Sequence, residues 1–432
     1  MRALDFQFMV QENLWSTSIS ILSGRGFGHR DSMEILVLQI GGVMYWTMIQ
    51  GQDIICFSND WDGDPLSKKH VMLRFAKHNR VLWINSIGNR KPTASVYDLK
   101  RIAKKVRDFA KGYQQVHEQI YVFSPIAVPF FGSSVARWIN RNALKWSLRR
   151  ACRRLGFQRP IMWTFYPASG NVVGSLGEEK IIYHCVDEYS EFTGTDKEAI
   201  LSLERELMAK CDCVIVSSER LYQTKKPYNK NTFLVTHGVD VNHFRKACDP
   251  LTVVPDEIKR VPGPVIGFFG LIADWVDLEL IQFLARSRPN CSFVLIGKTT
   301  TDVKLFEGLS NVHLLGQKSY EALPGYVKAF DVAILPFVTN ELTIASNPLK
   351  LREYLAAGLP VVSSAIPEAS RLKHLIRIGR NNLEFLNHLD AVLQSGATGP
   401  QMRISSQMDV ESWDQKVEEL SQVVAGVAEA AA

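Results

Sequence analysis

"SNPLKLREYLAAGLPVVSS", residues 346–364, decides how this chain is read. Its punctuation is that of a helix followed at once by a short strand. Ser346 and Asn347 are N-cap residue types, Pro348 suits the first helical turn, and Gly358 suits the left-handed position after a helix end. Leu359-Pro360-Val361-Val362 is then an apolar exit into a strand. Lys350 and Arg352 nevertheless stand in the first two turns, beside Glu353, although the positive end of a helix prefers anions. Two readings are open: a solvated face on a packed helix, or a place where something anionic docks. The unpaired N–H groups of a helix start form an anion site, to which Lys350 and Arg352 would add charge.

Outward from this stretch, short apolar runs alternate with helical patterns. Residues 265–270 (VIGFFG), 292–297 (SFVLIG), 312–316 (VHLLG), 332–337 (VAILPF) and 360–364 (PVVSS) read as strands of one series. An earlier series runs through 53–58 (DIICFS), 80–85 (RVLWIN), 120–125 (IYVFSP), 160–167 (PIMWTFYP), 180–187 (KIIYHCVD), 213–218 (CVIVSS) and 231–240 (NTFLVTHGVD), with helices at 66–77 and, strongly basic, at 98–111. Buried strands spaced by helices imply parallel sheets covered on both faces. The expected fold is α/β, two doubly wound Rossmann-like domains facing across a cleft. The first spans 51–248 and the second 249–400, with the Pro-rich stretch 249–264 between the two series. Residues 401–432 are expected to form a C-terminal helix packing back on the first domain, with an Ala-rich tail. Residues 1–50 are taken as an extension outside the fold, poorly ordered or mis-started. Their apolar run Ile35–Ile49 is shorter than the roughly 20 residues that span a bilayer. Gly24, Gly26 and Gly28 do not make a dinucleotide fingerprint.

Composition narrows the class. Hydrophobic residues make up 46% and charged residues 22% of the 432, as in soluble globular proteins. Seven scattered cysteines, an odd number, point to reduced thiols rather than a disulfide framework. Residues 1–250 hold 34 Lys and Arg against 24 Asp and Glu, whereas 251–432 hold 16 against 20, so the N-terminal half is the one suited to an anionic partner. "GKTT" at 297–300 is not a phosphate-binding loop, because Ser292 stands where the leading glycine is needed. No zinc-protease, nucleophile-elbow or paired Cys-x-x-Cys motif occurs. No cofactor and no metal are expected.

Three segments occur in fixed order: "FGLIADWVDLELI" (269–281), "HLLGQKSYEALPGYVKAFDVAILPF" (313–337) and the opening stretch. Together they resemble the C-terminal donor-binding domain of retaining glycosyltransferases of family 4, which have the GT-B fold. "FSNDWDGDP", "MWTFYP", "YHCVDEYSEFTG" and "VIVSSERL" in the first half are similar to the branch that builds exopolysaccharides and teichuronic-acid-like polymers. The resemblance covers about residues 53–420. It implies that Glu353 binds the nucleotide ribose. A first family glutamate would fall on Ala345, with Glu341 four residues too early, and the family's diphosphate-binding Arg and Lys would fall on Leu271 and Trp275. The donor-binding set is therefore read as Glu353, Ser346, Asn347, Pro348, Leu349, Lys350, Gly270 and Gln317.

Ligands of such sheets bind at the carboxyl ends of the strands. Asp187 and His184, at the end of 180–187, are the candidate catalytic residues with Lys350; capping or core packing is the alternative for each. Asp60, Trp61 and Glu188 are placed on the acceptor side, and His237 at the hinge touches donor or acceptor. Residues 136–156 carry seven Lys and Arg and no acid. Arg137, Arg141, Lys145, Arg149 and Arg153 recur every fourth residue, with Trp138, Leu144, Trp146, Leu148 and Leu155 as apolar surface. Such a helix suits an anionic membrane surface or is a solvated face; no nucleic-acid recognition fold accompanies it.

The expected activity is transfer of a sugar, with retention, from a UDP- or GDP-sugar to a glycan or lipid-linked acceptor in bacterial-type surface polysaccharide synthesis. The expected location is the cytoplasm, peripheral at the inner face of the plasma membrane. A non-catalytic GT-B partner subunit and a sugar-nucleotide epimerase or hydrolase are the alternatives.

Overall fold

The computed structural model describes residues 48–63, 65–86, 107, 109, 111–125 and 134–431, with the strand backbone at 20–21, 37–40 and 43–46; the side chains of 134–137, 139 and 427–431 are not among them. Most of the 1–50 extension, most of the 98–111 helix and the side chain of Arg137 therefore lie outside the described residues. Within the first fifty, β1 (Ser20–Ile21), β2 (Val37–Ile40) and β3 (Val43–Trp46) form an antiparallel sheet. Ile49 already belongs to the first domain: it is buried, its amide donates to Ser421 Oγ at 3.3 Å and its carbonyl accepts from Asn79.

The first domain is an eight-stranded sheet of β4 (Asp53–Phe57), β5 (Arg80–Ile84), β6 (Tyr113–His117), β7 (Ile120–Phe123), β8 (Ile161–Thr164), β9 (Lys180–Cys185), β10 (Cys213–Val216) and β11 (Thr232–Leu234), in the order β11-β10-β9-β8-β4-β5-β7-β6. All neighbours are parallel except the edge pair β6–β7. β6 was not expected, because YQQVH is a mostly exposed edge strand with no apolar run to betray it.

The second domain has β12 (Val265–Phe269), β13 (Ser292–Ile296), β14 (Val312–Gly316), β15 (Val332–Leu335), β16 (Val361–Ser364) and the short β17 (Arg377–Gly379), in the order β14-β13-β12-β15-β16-β17. Every pairing is parallel. Each sheet has one apolar core on either face, so both domains are doubly wound, as expected. The strand order reverses between β4 and β8 in one sheet and between β12 and β15 in the other. The crevices above those two points are where this architecture receives ligands.

The chain crosses between the domains twice. Val239, Val241, Phe244 and Ala247 pack in the second core, so the first crossing falls before 239 and not at the Pro-rich stretch. The return crossing runs beside it: the Val239 amide donates to the Glu411 carbonyl at 2.9 Å and the Trp413 amide to the Val239 carbonyl at 3.2 Å. Gly238 allows the approach, since a Cβ there would lie 2.9 Å from the Trp413 nitrogen. The closing helix, Trp413–Ala431, then buries Trp413, Val417, Leu420 and Val424 in the first domain's core.

Candidate active site

Two glycines and one helix build the second domain's side of the cleft. Gly270 follows β12 and Gly297 follows β13, with φ of +150° and +154°, values that L side chains rarely adopt. A Cβ on Gly270 would lie 3.3 Å from Lys350 Cε, and one on Gly297 only 1.7 Å from the Gly270 carbonyl oxygen. The strand ends stay bare, and helix Leu349–Ala356 descends onto them. Tyr354 Oη anchors it, accepting from the Phe269 amide at 2.9 Å and donating to the Phe269 carbonyl at 3.2 Å. Lys350 lies over the Phe269 ring and ends on Glu353 Oε2 at 2.8 Å. Glu353 is buried; its charge helps push the Tyr320 hydroxyl up, after burial. Gln317 is exposed on the loop after β14, next to the Gly316 carbonyl that accepts from the Gly297 amide.

The helix start differs from the expected one. It begins at Leu349 behind Pro348, and no side chain caps it. Ser346 instead donates to the Thr343 carbonyl of the preceding turn. Asn347 is buried and wires the domains together: Nδ2 donates to the Ser217 carbonyl at 2.6 Å and to Glu368 Oε2 at 3.2 Å, and its carbonyl meets His237 Nδ1 at 2.8 Å. Arg352 neither faces solvent nor waits for an anion. It is buried, donating to Asn347 Oδ1 at 2.5 Å and Glu411 Oε2 at 3.2 Å. Ala345 explains the missing family glutamate: it is 1% exposed in the first domain's core, and its carbonyl accepts from Ser218 Oγ. Glu341 is no substitute, since it pairs with Arg220 at 3.0 Å. Leu271 is exposed, and Trp275 sets its ring edge against Phe192 of the other domain.

Opposite lies helix Ser67–Phe75, which follows β4 and also starts without a side-chain cap or an acid in its first turn. Lys68 was overlooked in the sequence, although "PLSKKH" repeats the oddity of "PLKLRE", lysine at a helix start. It is 5% exposed, with Nζ 3.1 Å from Tyr166 Oη and 4.2 Å from the Tyr166 ring centre. His184 is buried against Phe165 and Trp163, and its Nδ1 has no partner. His237 is buried with its Nε2 unpartnered. Burial, helped by His237 and Lys68 for His184 and by Arg352 and Lys68 for His237, holds both imidazoles down to about 3, so both are neutral. The Asp187 carbonyl accepts from Cys185 Sγ at 3.3 Å, whereas its carboxylate has no hydrogen-bond partner among the described residues. Burial pushes its carboxyl up to about 6, against the opposing pull of Lys68.

The acceptor-side set divides. Trp61 donates its amide to Asn85 and turns its ring edge-on to Trp83, while Asp60 accepts from Ser86. Glu188 does not join them. It turns away from Asp187 to Lys225, whose ammonium it shares with the buried Glu204 at 2.8 Å from each. On helix Ser134–Leu155, Arg141, Arg149 and Arg153 are exposed and Lys145 is half-buried. The apolar surface expected there splits: Leu144 and Leu148 are core, whereas Trp138 and Trp146 are 67% and 59% exposed among the arginines.

Two doubly wound domains meeting across such a cleft define the GT-B class, and solved GT-B structures superpose on nearly the whole chain. Sucrose-phosphate synthase from Thermosynechococcus elongatus has a TM-score of 0.63 and 15% identity, covering 88% of this chain and 100% of that one. Anabaena HepE in complex with UDP and glucose has a TM-score of 0.60 and 13% identity, covering 86% and 99%. These likenesses show the fold. In sequence, residues 263–394 match the family described as glycosyl transferases group 1. The chain is also 28% identical over 237 residues to a Bacillus subtilis (strain 168) protein named as a teichuronic acid biosynthesis glycosyltransferase, TuaH. That match takes in 50% of this chain and 58% of the relative's length. Among the described residues no three His, Cys, Asp or Glu cluster as metal ligands, and no helix is long and apolar enough to cross a membrane.

Proposed function

We propose that this chain is a glycosyltransferase that moves a sugar from a nucleoside-diphosphate sugar to a glycan or lipid-linked acceptor in surface-polysaccharide synthesis. The observation that carries the reading is the uncapped start of helix Leu349–Ala356, held on two bare strand ends at the point where the strand order reverses, within the segment that matches group 1. The amides of its first turn take the diphosphate, and Glu353 accepts hydrogen bonds from the ribose hydroxyls. Bond cleavage leaves charge on the diphosphate, so stabilising the leaving group is the main catalytic contribution. Retention follows if the acceptor attacks from the same face and the departing phosphate takes its proton, a route that uses no protein nucleophile. Asp187 and His184 then line the reacting sugar.

Thermal-shift titration with UDP- and GDP-sugars, followed by donor turnover with and without acceptor extract, tests this. A stabilised native state with turnover dependent on extract is expected; binding with turnover independent of any acceptor makes the protein a hydrolase or epimerase. Leu271 and Trp275, standing where donor-binding cations are expected, favour a non-catalytic subunit as the second reading. Turnover by the purified chain excludes it. The exposed Trp138 and Trp146 among Arg141, Arg149 and Arg153 support docking on an anionic membrane, where indoles settle at the headgroup level.

A further inference from the structure

The cation for a donor diphosphate is not supplied in the usual way by the second domain. Leu271 and Trp275 carry no charge, Lys350 is paired with Glu353, and Arg352 is buried between Asn347 and Glu411. The first domain holds the opposite situation. Lys68 is 5% exposed, yet among the described residues no carboxylate lies within ion-pairing distance. Among the described residues its ammonium has one hydrogen-bond partner, the Tyr166 hydroxyl, and three aromatic rings within cation–π reach, those of Phe165, Tyr166 and Tyr189. Hydrogen bonding satisfies an N–H group without neutralising the charge, and a buried charge without a counter-ion is unfavourable.

Lys68 also lies beside the crevice of its own sheet, on the helix whose His70 ring meets Tyr320 of the second domain. It sits in the first turn of the helix after β4 and touches Tyr166 after β8, the point of strand reversal in its own sheet. It acts electrostatically on His184 and His237, and His237 is bonded to the Asn347 carbonyl just before helix Leu349–Ala356. Because Nδ1 of His237 faces a carbonyl, it carries the proton, and its unpartnered Nε2 offers a lone pair. The two uncapped helix starts, an ammonium without an ion pair among the described residues and two unpartnered imidazole nitrogens thus stand on neighbouring elements, and groups of these kinds suit a phosphate with a hydroxyl-bearing sugar attached.

We infer that Lys68 reaches across the cleft as the counter-ion of the donor's diphosphate, in place of the cations absent at Leu271 and Trp275. The inference rests on the donor site proposed above. Binding of the diphosphate then needs both domains together, whereas the nucleoside needs only the second.

The test compares UDP with uridine, and GDP with guanosine in parallel, by calorimetry on the full chain. Lys68→Met is expected to weaken the diphosphate ten- to a hundredfold and the nucleoside less than twofold, with an apo melting temperature equal to or above the parent's. Lys68→Arg, which keeps the charge, is expected to retain most of the diphosphate's advantage. Equal losses for diphosphate and nucleoside, or none for either, overturn the inference while leaving the donor site standing if Glu353→Gln still weakens both ligands. Absence of nucleotide binding by the parent overturns both. A measurement on the parent protein stands beside the variants. UDP should slow acetylation of Lys68 by acetic anhydride several-fold more than uridine does, read by peptide mass spectrometry, and equal rates with the two ligands count against the inference.

Discussion

Lys68 and Lys350 occupy equivalent places in opposite domains: each lies in the first turn of an uncapped helix that begins above a point of strand reversal. Their surroundings differ. Lys350 is a quarter exposed and ion-paired with Glu353, whereas Lys68 is buried among rings beside the Tyr166 hydroxyl, with Asp187 near enough to feel its charge and no ion pair among the described residues. A paired lysine contributes little net field to a ligand until its partner is drawn away; one without an ion pair contributes more of its charge from the start. On the proposed donor site, the difference assigns the nucleoside to the second domain and the counter-charge to the first.

The comparison is broken most severely at the reacting centre. Asp187→Asn is expected to lower donor turnover by about two to three orders of magnitude, the scale of losing one group that stabilises developing charge, with nucleotide affinity unchanged. Turnover within a few-fold of the parent would remove Asp187 from the site. Next in size is Arg352→Met. It leaves the Asn347 amide oxygen without its donor and Glu411 with only Lys416 at 3.9 Å, so urea unfolding should show a loss of about 1–3 kcal/mol, with nucleotide affinity unaltered in the protein that remains folded. A selective loss of affinity without destabilisation would restore Arg352 as an anion ligand.

Glu353→Gln sharpens the contrast from the nucleoside side. A charge-assisted hydrogen bond is worth about 1.5–3 kcal/mol, so UDP and uridine should both weaken by about ten- to a hundredfold. Lys350→Ala should slow turnover more than it weakens binding, because leaving-group charge grows toward the transition state.

Acid should loosen the first domain's side of the cleft. His184 and His237, held down to about 3, and His70, held down to about 4 chiefly by burial, bind a proton when unfolded at a pH where the native forms do not. Their contribution is complete above about pH 6.5 and is lost as pH falls toward 3–4. Asp187, raised to about 6, opposes this: it favours the native state below about pH 4 and loses that contribution as pH rises to 6. With three groups against one, the urea midpoint should fall from pH 7 to 4.5, and more gently in His184→Phe. The smallest effect belongs to the arginine helix. Arg141, Arg149 and Arg153 changed to Gln should release the protein from anionic vesicles by about 1 kcal/mol per charge, and binding insensitive to salt would exclude that role.

Most strands were legible because buried parallel strands are continuous apolar runs, as in Val265–Phe269 and Ser292–Ile296. β6 was not, because an exposed edge strand leaves no such run. Gly270, Lys350 and Glu353 could be proposed from the likeness of 269–281 and of one punctuated helix to known sequences. The helix's spacing could not reveal that Arg352 faces Asn347 and Glu411, since the opposing surface arrives from residues far along the chain. Glu188 and Asp187 are adjacent, and only the fold shows one carboxylate turned to Lys225 and the other without a hydrogen-bond partner among the described residues. Lys68 carried a signal, lysine at an acid-free helix start, that became informative only once its burial was known.

The paired crossings at Val239 and Ser412 make the first domain discontinuous in the chain. Trp413, Val417, Leu420 and Val424 complete a core whose other members, Ile54, Val71 and Trp83 among them, lie before residue 236. During synthesis, one core of the eight-stranded sheet, covered in part by helix Ser67–Phe75, therefore stays incomplete until the second domain and helix Trp413–Ala431 have been made. The second domain, whose strands run without interruption from 265 to 379, has all of its sheet available before that moment.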